Sequence, residues 1–314
     1  MPYRPIMLAV VGDSAAGKTT LTSGIAAILG PDSVTAIGID DYHRYNRAQR
    51  RSLGVTALHP DCNYVDIIEQ HLRCLAAGEP ILKPVYNHRS GDFEPPQYVR
   101  PRPFVIVEGL LCTLTPKLRD CFHVKVFLDP AEELRRAWKV RRDCAERGYT
   151  NGEVLAELAK RAADAAMYIH PQRSWADIVV QFAAPSQPAA SSHLDARLTL
   201  RPTLPHPDLS EVVAQTGNEP QALRLSVGRE EGRLAEFLDI QGGIAPALAA
   251  DVQDVIWRNL PDVSRLRPDQ IGTFQDGYEQ RQSHPLGLTQ LLIAHHLLLA
   301  RREKEALARM TGRA

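Results

Sequence analysis

The hydrophobic positions in the N-terminal part of the chain predict short buried strands that alternate with amphipathic helices. Several continuous apolar runs have the length and β-branched content of strands buried on both faces of a parallel sheet. These runs occupy residues 6–11, 34–39, 104–109 and 124–128. Helical spacing at 21–29 and 65–77 ends each time at a glycine. The pattern predicts an α/β fold with a mainly parallel sheet flanked by helices.

A composition break divides the chain. The stretch 183–192 is rich in Ala, Pro and Ser and predicts a linker. We therefore expect two domains, residues 1–182 and residues 183–314, the second an α+β extension packed on the same core. The extension has predicted strands at 198–200, 222–227 and 233–240 and predicted helices at 246–260 and 286–299. It carries no recognisable chemical motif, so a sheet extension or a dimer contact is its simplest role.

The first predicted strand leads directly into a phosphate-binding motif, G-x-x-x-x-G-K-[ST], in its strand, loop and helix context. Its glycines let backbone N–H groups turn towards an anion, and the following helix adds its positive dipole end. Lys18 supplies a cation for the β- and γ-phosphates of a nucleotide, and Thr19 a hydroxyl for Mg²⁺. The predicted nucleotide-binding residues here are Gly12, Asp13, Ser14, Ala15, Ala16, Gly17, Lys18, Thr19 and Thr20.

Acidic residues follow two of the predicted strands. Asp40 and Asp41 come at the C-terminal end of the second strand, and Glu108 comes at the end of the third. Ligands of parallel α/β sheets bind at this edge. We therefore expect Asp40 and Glu108 to face a bound nucleotide, with Glu108 in the place of a second nucleotide-site acid.

Basic side chains interleaved with aromatic residues follow Asp40, a pattern that suits a phosphorylated substrate. They are His43, Arg44, Arg47, Arg50 and Arg51. For Arg50 and Arg51 a solvated helix face is an equally good interpretation. His88 lies near the tip of a hairpin predicted from the runs 81–86 and 93 onward, where a lone histidine is usually only solvated.

A strongly charged helix is predicted at 132–146. Its charges either keep the helix soluble or neutralise a phosphoryl group during transfer.

Composition narrows the function classes. Lys+Arg and Asp+Glu are both 37, so no global basic field favours nucleic acid or an anionic membrane. The five cysteines lack a C-x-x-C pair and favour reduced thiols over a zinc site or a disulfide framework. The chain opens with a strand rather than a signal-like segment, and its most apolar late run, 288–300, is too short to span a bilayer. We therefore expect a soluble, cytoplasmic protein that binds neither nucleic acid nor membrane.

Several further segments together resemble the phosphoribulokinase and uridine kinase family, in the phosphoribulokinase branch of cyanobacteria and plants. Beside the phosphate-binding motif they are Ile-Asp-Asp-Tyr-His (39–43), Gly-Val-Thr-Ala-Leu-His-Pro (54–60), Lys-Pro-Val-Tyr-Asn-His-Arg-Ser-Gly (83–91), Val-Glu-Gly-Leu (107–110), Ala-Trp-Lys-Val-Arg-Arg-Asp-Cys-Ala-Glu-Arg-Gly-Tyr (137–149) and Tyr-Ile-His-Pro-Gln (168–172). The resemblance covers residues 5–182 in collinear order. It implies a P-loop kinase fold that uses ATP and Mg²⁺ to phosphorylate ribulose 5-phosphate at its C1 hydroxyl, giving ribulose 1,5-bisphosphate for the Calvin cycle.

The resemblance also implies roles for individual residues. Asp40 resembles the catalytic base, and Glu108, with Thr19, the Mg²⁺-linked group. The implied sugar-phosphate residues are His43, Arg47, Tyr86, His88 and Arg161. A lid that engages ATP and the transition state is implied for Lys139, Arg142, Asp143 and Arg147, with Lys18, Arg142 and Asp143 acting beside Asp40 in catalysis. A homodimer is expected.

Departures from the family pattern leave the acceptor contacts open. Leu111 and Cys112 follow Glu-Gly-Leu where the branch has histidine, and His59 and His170 stand where aspartate is common. A uridine or other nucleoside kinase and a non-catalytic nucleotide-binding regulator are the alternative functions.

In plant-like members of the family, a regulatory disulfide joins a cysteine of the P-loop to a cysteine just before the Asp-Asp-Tyr-His segment. This chain has Ala16 and Gly38 at those two positions. We therefore expect no such redox control.

Overall fold

The structure is a computed structural model that describes residues 4–185, 193–214, 222–258, 260, 271–276 and 279–310. The chain divides into two compact units. The first comprises residues 1–18, 34–128 and 132–176, and the second comprises residues 19–33, 129–131 and 177–314. The boundary predicted at residues 182 and 183 remains a sequence-based prediction.

The first unit contains a parallel sheet with the strand order β2, β5, β1, β6. Its strands are β1 (Ile6–Gly12), β2 (Val34–Gly38), β5 (Phe104–Gly109) and β6 (Val124–Leu128), while β3 (Ile81–Asn87) and β4 (Asp92–Val99) form a separate antiparallel hairpin. Every residue of β1 is buried, which explains its uninterrupted apolar sequence. Glu108 lies opposite Gly38 of β2 and Val10 of β1, so the strands end at one edge.

The described helices of this part of the chain include the predicted segments 21–29, 65–77 and 132–146, together with others that had no predicted bounds. They are α1 (Lys18–Leu29), which continues from the loop after β1 into the second unit, and α2 (Arg47–Leu53), α3 (Val65–Ala77), α4 (Pro116–Arg119), α5 (Glu132–Arg147) and α6 (Asn151–Asp164). Helix α3 has the predicted bounds because Gly78 closes it in the left-handed conformation. The strand predicted at 34–39 ends one residue earlier, at Gly38, because residues Ile39–Asp41 form a 3₁₀ turn.

The second unit contains an antiparallel sheet with the strand order β7, β8, β10, β9. Its strands are β7 (Ile178–Ala183), β8 (Asp195–Leu200), β9 (Leu223–Glu230) and β10 (Arg233–Ile240), with the pair β11 (Thr273–Asp276) and β12 (Glu279–Gln282) beside them in sequence. Its helices after α1 are α7 (Leu209–Ala214), α8 (Pro246–Arg258) and α9 (His284–Met310). The strands and helices predicted for residues 198–299 are therefore confirmed where they are described, whereas most of the predicted linker, residues 186–192, lies outside the described residues.

The α/β class with a large parallel sheet and flanking helices is confirmed. No helix within the described ranges combines the length and the apolar character that a membrane crossing requires.

Candidate active site

The loop after β1 has the compact conformation that a phosphate-binding motif requires. A side chain at Gly12 would place its Cβ 2.7 Å from the carbonyl oxygen of Leu128, so only glycine fits there. Ala15 is left-handed, with φ +65°, and the N–H of Ala16 donates to the carbonyl of Asp13 at 3.2 Å. The amine of Lys18 donates to the carbonyls of Gly12 and Asp13 at 2.9 and 3.0 Å. The loop thus curls around its lysine, as the motif predicts.

Helix α5 contacts this loop through a row of cations. Arg135 lies 3.3 Å from Asp13 and donates to the carbonyl of Ser14 at 3.2 Å. The amine of Lys139 and the guanidinium of Arg142 each lie 3.4 Å from the Ser14 hydroxyl. The spacing of 135, 139 and 142 places them on one helix face. Sequence reasoning selected Lys139 and Arg142 but passed over Arg135, although its spacing relative to them was a usable signal.

Asp143 organises the cations at the end of this row. Its carboxylate contacts Lys139 at 2.7 Å, Arg142 at 2.9 Å and Arg147 at 3.4 Å. Burial alone would raise the pKa of Asp143, but the hydrogen bond from Lys139 and the nearby arginines outweigh burial and lower it. Asp143 therefore stays ionised and pairs with these three cations.

Lys139 and Arg161 complete this charged region. The Lys139 side chain is only 2% exposed, and burial lowers its pKa to about 8, against the opposing hydrogen bond to Asp143. The positive charge of Arg161 adds to this lowering, so Arg161 lies within electrostatic reach of the lid. Arg161 itself pairs with Glu157 of α6 at 2.7 Å. Arg161 is therefore near Lys139 of α5, and its predicted contact with the sugar phosphate stays a prediction.

Asp40 occupies the turn after β2, beside the end of β5. Its Oδ1 accepts the N–H of Leu110 at 3.1 Å and would lie 2.9 Å from any Cβ at Gly109. This close approach fixes the Asp40 carboxylate beside the C-terminal end of β5, where Glu108 precedes the last residue, Gly109. The neighbouring Asp41 is used differently, since it pairs with the buried amine of Lys83 and accepts the N–H of Tyr86 at 3.2 Å. The two adjacent carboxylates thus have different partners. Asp40 contacts the end of β5, and Asp41 contacts β3 of the hairpin.

A cluster of His43, Tyr86, His88 and Arg50 lies beside Asp40. The His43 ring packs edge-on against Tyr86, with 4.7 Å between centroids, and Tyr86 lies 5.0 Å from the ring of His88. Arg50 donates to the Tyr86 hydroxyl at 2.7 Å and stacks over its ring at 5.1 Å. Asp40 acts electrostatically on both histidines. We call these four residues the acceptor cluster.

The acceptor cluster carries less positive charge than the sequence predicted, because its two histidines are neutral. Burial, aided by the charge of Arg50, lowers the pKa of His43 to about 4, and burial also lowers the pKa of His88. At neutral pH these histidines are uncharged hydrogen-bonding groups rather than the predicted cations. Arg50 supplies the positive charge of the cluster, and the sequence left its role open between this position and a solvated helix face because local spacing alone does not orient a helix face.

Arg47 begins the helix that carries Arg50, but its contacts are with the hairpin formed by β3 and β4. Its guanidinium donates to the carbonyls of His88 and Arg89, the latter at 3.3 Å, and its N–H donates to the Gly91 carbonyl at 2.8 Å. Arg47 therefore fixes the turn that carries His88.

The residues that depart from the family pattern contact neighbouring groups of the fold. Cys112 is fully buried, with its sulfur 3.8 Å from the Val10 carbonyl. His59 accepts the N–H of Asp61 at Nδ1, and its Nε2 lies 3.1 Å from the Tyr168 hydroxyl. His170 is mostly exposed and lies 4.0 Å from Asp13. These residues fit the fold around the site without a direct place in the acceptor cluster.

Comparison with known proteins identifies similar sequences among sugar-phosphate and nucleoside kinases. Residues 7–187 match the model of the phosphoribulokinase / uridine kinase family. A phosphoribulokinase from Synechocystis sp. is 39% identical over 57% of this chain and 54% of its own length, and the chloroplastic phosphoribulokinase of Mesembryanthemum crystallinum is 33% identical over 56% and 49%. A uridine kinase from Chloroflexus aggregans is 32% identical over 57% of this chain and 88% of its own length.

Among solved structures, a phosphoribulokinase from Rhodobacter spheroides is 18% identical, covers 81% of this chain and 97% of its own, and has a TM-score of 0.57. That similarity shows the fold.

The loop, the parallel sheet and the cation row define a protein with the P-loop kinase fold. More narrowly, the chain belongs to the phosphoribulokinase / uridine kinase family. It spans about half the length of the phosphoribulokinase relatives that it matches.

Proposed function

We propose that this protein transfers the γ-phosphoryl group of ATP to the C1 hydroxyl of ribulose 5-phosphate, giving ribulose 1,5-bisphosphate and ADP. The observation that carries the proposal is the position of Asp40, held by the Leu110 N–H within electrostatic reach of the acceptor cluster. The similarity to phosphoribulokinases supports the same reaction. The reaction would supply the carbon-fixation substrate of the Calvin cycle.

The nucleotide side of the proposal rests on the phosphate loop and the lid. Backbone N–H groups of residues 12–20 would bind the β- and γ-phosphates, and Lys18 would leave its loop carbonyls to contact them. Lys139, Arg142 and Arg147, held by Asp143, would neutralise the charge that spreads over the transferred group.

The residues present fit a Mg²⁺ ion held largely by nucleotide phosphates. Thr19 is exposed in the first turn of α1, and Glu108 is half-buried at the penultimate position of β5, so each would supply an oxygen ligand. Within the part of the chain that the structure describes, no three His, Cys, Asp or Glu side chains form a metal site of their own. When bound, Mg²⁺ would supply positive charge that offsets the negative charge of the transferred phosphoryl group.

On the acceptor side, Asp40 would act as general base. The C1 hydroxyl oxygen would form the new bond to the γ-phosphorus as the bond to the ADP oxygen breaks, and the hydroxyl proton would pass to Asp40. Arg50 would meet the 5-phosphate through charge-assisted hydrogen bonds, and the neutral His43 and His88 would bond sugar hydroxyls. Arg47 would support this surface by holding the His88 turn.

The test is a coupled assay of ADP release with ribulose 5-phosphate, free ribulose and uridine as separate acceptors. We expect turnover with ribulose 5-phosphate and none with free ribulose, because the neutral sugar lacks the group that Arg50 would hold. Turnover with uridine but not ribulose 5-phosphate would replace the proposal with nucleoside kinase activity. Nucleotide binding without turnover of any acceptor would favour a regulator. The homodimer and the cytoplasmic location remain predictions.

A further inference from the structure

A buried amide in the second unit contacts the helix that follows the phosphate loop. Gln290 is fully buried in α9, within the segment 285–297, in which every residue is buried. A buried amide is costly unless both of its polar atoms have partners. The Gln290 Nε2 donates to the carbonyl of Thr20 at 3.2 Å, and its Oε1 accepts the N–H of Gly272 at 2.8 Å. Each polar atom of the side chain therefore has a partner, and the partner of Nε2 belongs to α1.

The position of that bond matters. Thr20 lies in the first turn of α1, two residues after Lys18, at the N-terminal end of the helix where the phosphate-binding motif ends. In an α-helix the carbonyl of residue 20 also accepts the N–H of residue 24. Gln290 thus adds a second donor to a carbonyl of the first turn, which restricts rotation and axial shift of that turn.

Gly24 makes this contact possible. A Cβ at residue 24 would lie 2.1 to 2.3 Å from the three terminal atoms of the Gln290 amide. Any larger residue at position 24 would displace the amide from the Thr20 carbonyl. The pair Gly24 and Gln290 is therefore a matched fit between α1 and α9.

We propose that Gln290 is a positioning residue for nucleotide binding. By fixing the first turn of α1, it sets the direction of the Lys18 side chain and of the first N–H groups of the helix. The inference rests on the proposed function, in which those groups bind ATP phosphates. It gives residues beyond 183, which carry no chemical motif, a part in the kinase reaction.

The test compares Gln290→Met with Thr289→Val. Methionine keeps the length of the side chain but removes both hydrogen bonds. Thr289 is an equally buried neighbour whose hydroxyl bonds only within α9, to the carbonyl of Pro285 at 2.7 Å, so its replacement is the matched control. We expect Gln290→Met to raise the Kd for ATP and the KM for ATP about 10-fold or more, because small misplacements of phosphate-binding groups are costly. The KM for the sugar phosphate should change less than about twofold, and Thr289→Val should leave both constants unchanged.

Hydrogen exchange of the α1 amides gives a readout that does not depend on turnover. Exchange in the first two turns of α1 should become faster in Gln290→Met and stay unchanged in Thr289→Val. A wild-type protein that binds ATP but phosphorylates no sugar would remove the proposed function, while exchange and ATP binding of the variants would still decide the positioning role. Equal behaviour of the two variants in exchange and in ATP binding would overturn the positioning role alone.

The same contact can be tested from α1. Gly24→Ala should mimic Gln290→Met in ATP affinity, which also covers the case in which Gln290→Met does not fold. Adding Gln290→Ala to Gly24→Ala removes the clash, so the double variant should bind ATP no worse than Gln290→Ala alone. If the loss of ATP affinity in the double variant equalled the sum of the losses in Gly24→Ala and Gln290→Ala, a direct contact between the two residues would be contradicted.

Discussion

Arg50 and Arg51 are adjacent in α2, yet they face different surroundings. Arg50 stacks over Tyr86 and donates to its hydroxyl, whereas the Arg51 side chain is exposed. In the proposed reaction only Arg50 meets the phosphate of the acceptor. Sequence position alone gives these residues equal standing, and tertiary packing separates them.

The first prediction concerns this pair. Arg50→Gln should raise the KM for ribulose 5-phosphate about 10- to 100-fold, the range expected when a charge-assisted hydrogen bond is lost, with a much smaller effect on the KM for ATP. Arg51→Gln, the matched control on the same helix, should change neither constant more than about twofold. Steady-state kinetics with each substrate varied in turn measure both. A larger effect of Arg51→Gln would move the phosphate site to the outer face of α2.

The second prediction concerns pH and stability. The folded-state pKa of His43 is about 4 and that of His296 about 3, both lowered mainly by burial from the ordinary value of 6.5. The unfolded chain therefore binds more protons between pH 6.5 and 4, so stability is fully present above pH 6.5 and falls as the pH drops through this window. Each group contributes a slope of about 1.4 kcal/mol per pH unit.

Urea unfolding at several pH values measures this slope. The replacement His43→Gln should make it shallower, whereas the replacement of the mostly exposed His170 by Gln should leave it as in the wild type. A stability that does not change between pH 7 and pH 5 would contradict the buried, neutral state of these rings.

At the residue scale the sequence predicted what local motifs determine. The phosphate loop and Asp40 were identified because a fixed spacing and a strand end locate them without tertiary information. The neutral state of His43 and the contact of Arg50 with Tyr86 could not be predicted, because each depends on which side chains fold against it. The amide of Gln290 is another such case, since its partner Thr20 lies far away in sequence.

At the scale of elements, one carboxylate of α5 pairs with several cations of the same helix. Asp143 bonds three cations of this helix, and the row of Arg135, Lys139 and Arg142 contacts the phosphate loop. Helix propensity and charge pattern predicted the helix itself and its end at Gly148, since these are local properties. The direction of its charged face towards the loop required the structure.

The third prediction tests this arrangement. Asp143→Asn should lower kcat about 10- to 100-fold and raise the KM for ATP, because Lys139, Arg142 and Arg147 lose the ion that orients them. Glu133→Gln removes an exposed acid from the first turn of the same helix and serves as the control. Equal kinetics of Asp143→Asn and wild type would show that the cations hold their positions without it.

At the scale of the whole molecule, the thiols bear on regulation. Cys62, Cys74, Cys112, Cys121 and Cys144 are all free. Burial raises the pKa of Cys62 and Cys112 and raises that of Cys121 to about 11, so these sulfurs stay protonated and unreactive at neutral pH. The sequence resemblance implies regulatory cysteines at positions 16 and 38, where this chain has Ala16 and Gly38.

The fourth prediction follows from these thiols. Activity should be the same after equilibration with oxidised and with reduced dithiothreitol. A cysteine-free variant provides the control for any slow chemical damage. A large and reversible loss of activity on oxidation, absent when one cysteine is replaced, would show that another pair of thiols forms a switch.

The most direct test of the central claim is to identify the product and the base in one experiment. The wild-type protein, ATP, Mg²⁺ and ribulose 5-phosphate should give ADP and a bisphosphate whose new phosphate is on C1 by phosphorus NMR. Asp40→Asn should bind ATP with nearly wild-type affinity but form this product about 10²- to 10⁴-fold more slowly, the range expected for loss of a general base. Phosphate on another oxygen, or an Asp40→Asn variant that keeps more than about a tenth of the wild-type rate, would contradict the proposed reaction or the proposed base.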